Sequence, residues 1–281
     1  MRFGDYDCRS IVLNRFLLDG GAMFGVVPKP LWEKKMPADG KNRIEMVCRS
    51  LVIRGKERVI LVDAGIGDKL PQKMRRIYDI EETGSFVSRL ADAGVSPDEI
   101  TDVILSHLHF DHTGGATANE TGNSVPTFPR AVYYIHREQW DMALRPSVRD
   151  RSSYLRENFI PLESSGRLRL VDGPILNLFD GIDLMVSHGH TRGHLHPAIH
   201  DSSGALFFCG DMIPTAAHIP LPWHMAYDNE PLLLLEEKGR LLDRAARESW
   251  VLCFAHDPHI AAARVRKSPK DVIVFDRAVQ V

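Results

Sequence analysis

Six consecutive residues concentrate most of the chemistry this chain can do: His107-Leu108-His109-Phe110-Asp111-His112, followed by Thr113-Gly114-Gly115. Four of the six carry metal-ligand side chains, and they directly follow Val103-Ile104-Leu105, a short apolar run that reads as a buried strand. Alternation puts His107 and His109 on one side, where both imidazoles reach one cation. A tight turn, for which Gly114 and Gly115 supply the backbone, lets Asp111 and His112 point at a second. Nitrogen and oxygen ligands without thiolate suit zinc, and equally manganese, iron or cobalt. The competing reading is a polar loop with histidines by accident, and the glycine pair weighs against it.

Further ligand types follow other apolar runs: Leu61-Val62-Asp63, then Gly189-His190-Thr191-Arg192-Gly193-His194, then Cys209-Gly210-Asp211, then Phe254-Ala255-His256-Asp257. An acidic residue that ends a buried strand is costly unless it is paired or binds a cation. Spacing alone does not rank His190 against His194. Val103–His109 and Leu184–His190 both end in Ser-His-x-His, which suggests two related halves, about 1–145 and 167–281, meeting at one site within a single domain. Pro146 to Gly166 reads as an irregular connection or a cap.

The elements that must carry these residues are mostly short strands. Ile11–Leu18, Met46–Ile53, Val59–Val62, Thr101–Leu105, Ala131–Ile135, Ile182–Val186, Ala205–Cys209, Trp250–Phe254 and Val272–Phe275 are compact apolar or β-branched runs. Arg54-Gly55-Lys56-Glu57 is a hairpin-like turn. Helices are expected over Ser85–Ala93, ended by Gly94, over Arg137–Leu144, and over Glu230–Arg247 with Pro231 in its first turn.

Composition sets the limits. The 281 residues are 44% hydrophobic and 26% charged, ordinary for a globular chain. A net charge of −2 gives no basic field for nucleic acid, so no nucleic-acid partner is expected. No apolar run is long enough for a membrane span and the N-terminus lacks the apolar core of a secretory signal, so the expected location is cytoplasmic. Four scattered cysteines form no C-x-x-C pair, and Cys209 and Cys253, within apolar runs, read as buried small hydrophobes. Against these stand 13 histidines.

The ordered series Asp63, His107-x-His109-x-Asp111-His112, His194, Asp211 and His256 resembles the five motifs of the metallo-β-lactamase superfamily. The resemblance implies an α/β fold, a four-layer αβ/βα sandwich, with its metals where the sheet edges open. Carried over by motif, His107, His109 and His194 would hold a first metal. Asp111, His112 and His256 would hold a second, and Asp211 would bridge them. Asp63 would orient a ligand histidine from behind, and His188 and His190 would shape the turn before His194. The implied cofactors are two divalent transition metals, zinc foremost. Two such cations roughly 3.5–4 Å apart can share a water and draw its pKa from about 15.7 towards 7. The expected function is therefore dinuclear hydrolysis by a metal-bridged hydroxide, with Asp111 and Asp211 as the catalytic carboxylates and Asp111 passing the proton to the leaving group.

Within the superfamily the chain is most similar to the lactonase and organophosphate-hydrolase branch, through Ser187-His188-Gly189-His190-Thr191, Gly210-Asp211-Met212-Ile213 and the apolar segment from Phe24 to Trp32. It departs in carrying Pro214 where homoserine-lactone lactonases often have tyrosine, and Arg192 where the turn usually has proline. The expected substrate is a small apolar ester or lactone, with a phosphotriester as the alternative. A non-enzymatic small-molecule binder of the same fold is the reading from another class. Phe24, Trp140, Trp223 and His224 are the expected pocket residues; packing, or a homodimer contact, is the competing role for the aromatic segment.

Overall fold

The computed structural model describes residues 1–81 and 84–281. Two seven-stranded sheets stack face to face. The first sheet contains β1 (Arg2–Phe3), β2 (Tyr6–Asp19), β3 (Arg43–Arg54), β4 (Val59–Val62) and β5 (Asp102–Ile104). A separate hairpin, β6 (Thr117–Glu120) and β7 (Asn123–Pro126), interrupts the chain before β8 (Val132–His136) and β9 (Leu168–Val171) complete that sheet. The second sheet runs in chain order through β10 (Ile175–Phe179), β11 (Ile182–Ser187), β12 (His194–Asp201), β13 (Gly204–Phe208), β14 (Val251–Cys253), β15 (Ala262–Lys267) and β16 (Ile273–Val279).

Each sheet is antiparallel at its start. Parallel pairing begins at β4–β5–β8–β9 in the first and occurs at β13–β14 in the second. The parallel strands are apolar on both faces because both are covered. Inner faces meet through Leu51, Ile53, Ile60, Val62 and Ile104 against Leu184, Leu195, Leu206, Phe208 and Val251. The outer face of the first sheet packs on Phe86 and Leu90 of the helix Phe86–Asp92, on Trp140 and on Phe159. The outer face of the second takes Leu234, Leu241, Leu242 and Ala245 of the helix Pro231–Arg247. This is the four-layer αβ/βα sandwich, and the leucine-rich helix serves packing on the sheet.

Nearly all expected elements form within a few residues of their expected bounds. β12 went unrecognised because His194-Leu-His-Pro-Ala-Ile-His-Asp looks polar and contains a proline, yet its first six residues are buried. All four cysteines are buried and unpaired. No helix among the described residues is long and apolar enough to cross a membrane.

The ends of β4, β5, β11, β13 and β14 release the chain at one edge of the sandwich, just ahead of Asp63, His107, His190, Asp211 and His256. Gly114 and Gly115 do serve the turn after His112, through close approach. A Cβ on Gly114 would lie 1.7 Å from the Ile66 carbonyl oxygen, and one on Gly115 2.4 Å from that of Ala64. The backbone of Ala64 seals the contact, donating to His112 O at 2.7 Å and accepting from Gly115 N at 3.2 Å. Gly114→Ala must force two backbones apart. It is expected to cost about 3 kcal/mol or more, at the upper end of overpacking penalties, as measured by urea unfolding.

Candidate metal centre

Two groups of ligand atoms converge at this edge: His107, His109, His190 and Asp211 in one, Asp111, His112 and His256 in the other, the atoms of each lying within 4.8 Å of one another. In the first, His107 Nε2 is 3.0 Å from His109 Nδ1, and His190 Nε2 is 3.4 Å from the same atom. In the second, the Nε2 atoms of His112 and His256 face each other at 3.0 Å, each 3.8 Å from Asp111 Oδ2. Asp211 serves both: Oδ2 lies 3.4 Å from His190 and 4.0 Å from His107, while Oδ1 lies 2.8 Å from His256 and 3.3 Å from His112. These distances to Oδ1 suit charge pairing, but no directed hydrogen bond reaches that buried atom.

The donor chemistry fits divalent cations. Ser106 Oγ donates to Asp63 and so accepts from His107 Nδ1, which leaves the lone pair of His107 Nε2 facing His109 and the Asp211 carboxylate, as ligation requires. Burial, reinforced by neighbouring imidazoles, holds His107 and His109 well below the usual histidine range, which keeps them neutral and able to ligate. At His112 burial pulls the same way but loses to Asp211, Asp111 and Asp63, which raise it well above its ordinary value. Burial likewise opposes Asp211 at His256, where the carboxylate again prevails. That field draws positive charge to the junction of the two groups.

Supporting contacts fix which nitrogen faces inward. Asp63 ends β4 in a left-handed conformation, φ 58°. Its Oδ2 is 2.7 Å from His112 Nδ1 and accepts from Ser106 Oγ at 2.8 Å, and its Oδ1 accepts from Ser106 N at 2.7 Å. Ser106 Oγ in turn lies 3.0 Å from His107 Nδ1. One buried carboxylate thus contacts a histidine of the second group directly and one of the first through Ser106. His256 Nδ1 donates to Val47 O at 2.8 Å, leaving Nε2 inward.

The structure corrects one expected ligand. His190, and not His194, joins His107 and His109. His194 opens β12 paired with Ser187, so it is held in the ladder, while His190 sits in the preceding turn with its Nε2 toward Asp211. Gly210, at φ 48°, packs so tightly on the His194 ring that a Cβ there would be 2.4 Å from Nε2, and Asp211 N approaches that nitrogen at 3.5 Å. His188 faces outward, 3.6 Å from Glu138.

The cavity over both groups, about 190 Å³, is lined by Leu18, Met23, Tyr78, Phe110, Met225 and Tyr227 on its apolar side and by Arg149, Ser152 and Ser153 on its polar side. Residues 149–153 belong to the irregular segment expected to act as a cap, and Tyr154 places its ring 4.9 Å from His109. None of Phe24, Trp140, Trp223 and His224 lines this cavity. Phe24 is fully buried between Trp32 and His218, with Trp223 edge-on to it, and Trp140 packs on Phe159. His224 turns to Asp228, whose hydrogen bond raises its pKa. Phe24 and Trp140 are spent on the core, and the lining comes from five distant segments with no shared pattern. Phe110, inside the ligand motif, and Met23, in the apolar segment beside Phe24, carried a signal.

A model of the metallo-beta-lactamase superfamily matches residues 43–256. The chain belongs to that superfamily. Among curated proteins it is 27% identical to an N-acyl homoserine lactonase of Bacillus thuringiensis over 177 residues, 63% of each chain, and 27% identical to one of Bacillus cereus over 77% of this chain and 83% of the relative. The match thus spans under two thirds of the Bacillus thuringiensis enzyme. Among solved structures, a "probable metal-dependent hydrolase" from Staphylococcus aureus superposes with TM-score 0.88 at 29% identity, covering 99% of this chain and all of that one. A dizinc quorum-quenching lactonase, solved with a product, superposes at 0.81 with 18% identity over 100% and 97%, a likeness of fold.

The two histidines of the turn separate cleanly by experiment. His190→Ala is expected to weaken one metal site by about 10-fold or more, the scale of a lost orienting contact or greater. His194→Ala should keep both metals and lose only stability. Elemental analysis after dialysis, with thermal unfolding of both variants, reads the difference.

Proposed function

We propose that the protein is a dinuclear metal-dependent hydrolase of a small apolar ester or lactone. The observation that carries this reading is Asp211, whose two oxygens divide between two ligand groups directly beneath a small cavity with one apolar wall. His107, His109 and His190 would hold one metal and Asp111, His112 and His256 the other, with Asp211 shared; the dizinc lactonase of the same fold favours zinc. Bound there, the pair supplies Lewis-acid polarisation and an activated water.

The chain's own groups do the rest. Leu18, Met23, Met225 and the rings of Tyr78, Phe110 and Tyr227 exclude water around an uncharged acyl group. Asp111 is partly open to the cavity, with 13% of its side chain exposed, and can carry a proton to the leaving oxygen. Asp63, behind His112 and Ser106, takes no part in proton transfer and keeps the ligands aimed. The N-acyl homoserine lactonases among the relatives support a lactone, and Pro214 means any hydroxyl assisting the ring oxygen must come from elsewhere, as from Tyr78 or Tyr227 on the cavity wall.

Zinc-supplemented protein is expected to hydrolyse lactones and short esters with kcat/KM above that for an aryl phosphotriester; the reverse order makes it a phosphotriesterase, and no turnover on any of them makes it a binding protein. Asp211→Ala should lower kcat/KM by about 1,000-fold or more, because several kcal/mol of charge stabilisation disappear with both metals. Chelation should abolish activity and lower Tm, with both restored by added zinc.

A further inference from the structure

A second buried carboxylate stands behind the first ligand group as Asp63 stands behind the second. Asp228 lies in the irregular stretch before the helix Pro231–Arg247 and is 1% exposed. Its Oδ1 is 2.8 Å from His190 Nδ1, which leaves His190 Nε2 as the nitrogen facing Asp211 and His109. Its Oδ2 accepts from Met225 N at 2.7 Å and lies 3.4 Å from His224 Nδ1, so it also fixes the backbone of the cavity wall. Its carbonyl oxygen accepts from Arg149 Nη2 at 2.8 Å, and Arg149 also donates to Ala226 O. The next residue, Asn229, donates to Asp150 Oδ2 at 3.2 Å and to His190 O through its backbone at 3.0 Å. A single residue therefore touches a ligand histidine, the apolar wall and the segment covering the cavity.

We propose that Asp228 is the positioning residue of the first metal group, and that it joins the cover Arg149–Tyr154 to His190. A carboxylate on Nδ1 fixes the tautomer and the plane of a ligating imidazole and raises its basicity. The carbonyl of the same residue anchors Arg149, so displacement of the cover is felt at the turn carrying His190. Glu237 braces that turn from the helix, accepting from His188 N at 2.9 Å and Gly189 N at 3.0 Å, so Asp228 is the contact on the cavity side.

The inference rests on the metal reading above but not on any substrate, and its test uses none. Metal-free full-length protein is titrated with zinc against a chromophoric chelator, and amide hydrogen exchange across 147–154 is followed in parallel. Wild type must bind two zinc ions; failure there sinks the metal reading itself. Asp228→Ala should weaken one of the two sites by about 10- to 100-fold and speed exchange in the cover. Asp228→Asn, which keeps an acceptor for His190, should recover part of the affinity. Arg149→Ala should speed exchange in the cover and weaken the same zinc site, by a smaller factor than Asp228→Ala. Wild-type zinc affinity in Asp228→Ala overturns the proposal. So does an equal loss in Asp228→Ala and Asp228→Asn together with collapse of cooperative unfolding in the metal-free protein, since that marks a purely structural residue.

Discussion

Five imidazoles and two carboxylates turned inward at one edge of the sandwich impose the constraint on which the rest of the structure depends. Their inward ring nitrogens and carboxylate oxygens are crowded together away from water, where an unpartnered polar or charged group is costly. Every element near them answers to that problem. The strands of both sheets end at the same edge, so each ligand group draws on both: His107 and His109 with His190 and Asp211, Asp111 and His112 with His256. A cation in either group would tie the sheets together as well as partner these atoms.

Holding such a centre takes rigid turns more than it takes a large core. The glycine pair after His112 lets the chain lie against Ala64 and Ile66, and Gly210 lets it lie against His194. Four of the five outward nitrogens are claimed: by Asp63 for His112, Ser106 for His107, Asp228 for His190 and the Val47 carbonyl for His256, while His109 Nε2 has no partner. Those four inward nitrogens are aimed because the outward ones are occupied, so most of the geometry is present before any cation arrives.

Much of this was legible in the sequence, because local order and spatial order coincide in His107–His112. Asp63, Asp211 and His256 stood out as polar residues closing apolar strands, and the four-layer architecture followed from the order of the motifs. The turn Gly189–His194 was harder. It offers two histidines four apart, and only the register of β12, which enrols His194 in the ladder, tells them apart. Little of the lining could be read. Leu18, Tyr78, Arg149 and Tyr227 meet through tertiary folding alone, while of the residues that looked like pocket aromatics Phe24 and Trp140 are buried in the core and Trp223 is half-buried against Phe24. Asp228 carries no motif; its meaning comes from the nitrogen it faces.

The left-handed backbone of Asp63 has an evolutionary consequence. A non-glycine residue in that conformation costs roughly 1–2 kcal/mol, and glycine would relieve it. That relief would leave the buried Ser106 N–H and His112 Nδ1 without their acceptor, which offsets it. The aspartate is thus held at this strand end at once by folding and by the aim of His112 and, through Ser106, His107, so the two demands do not drift apart.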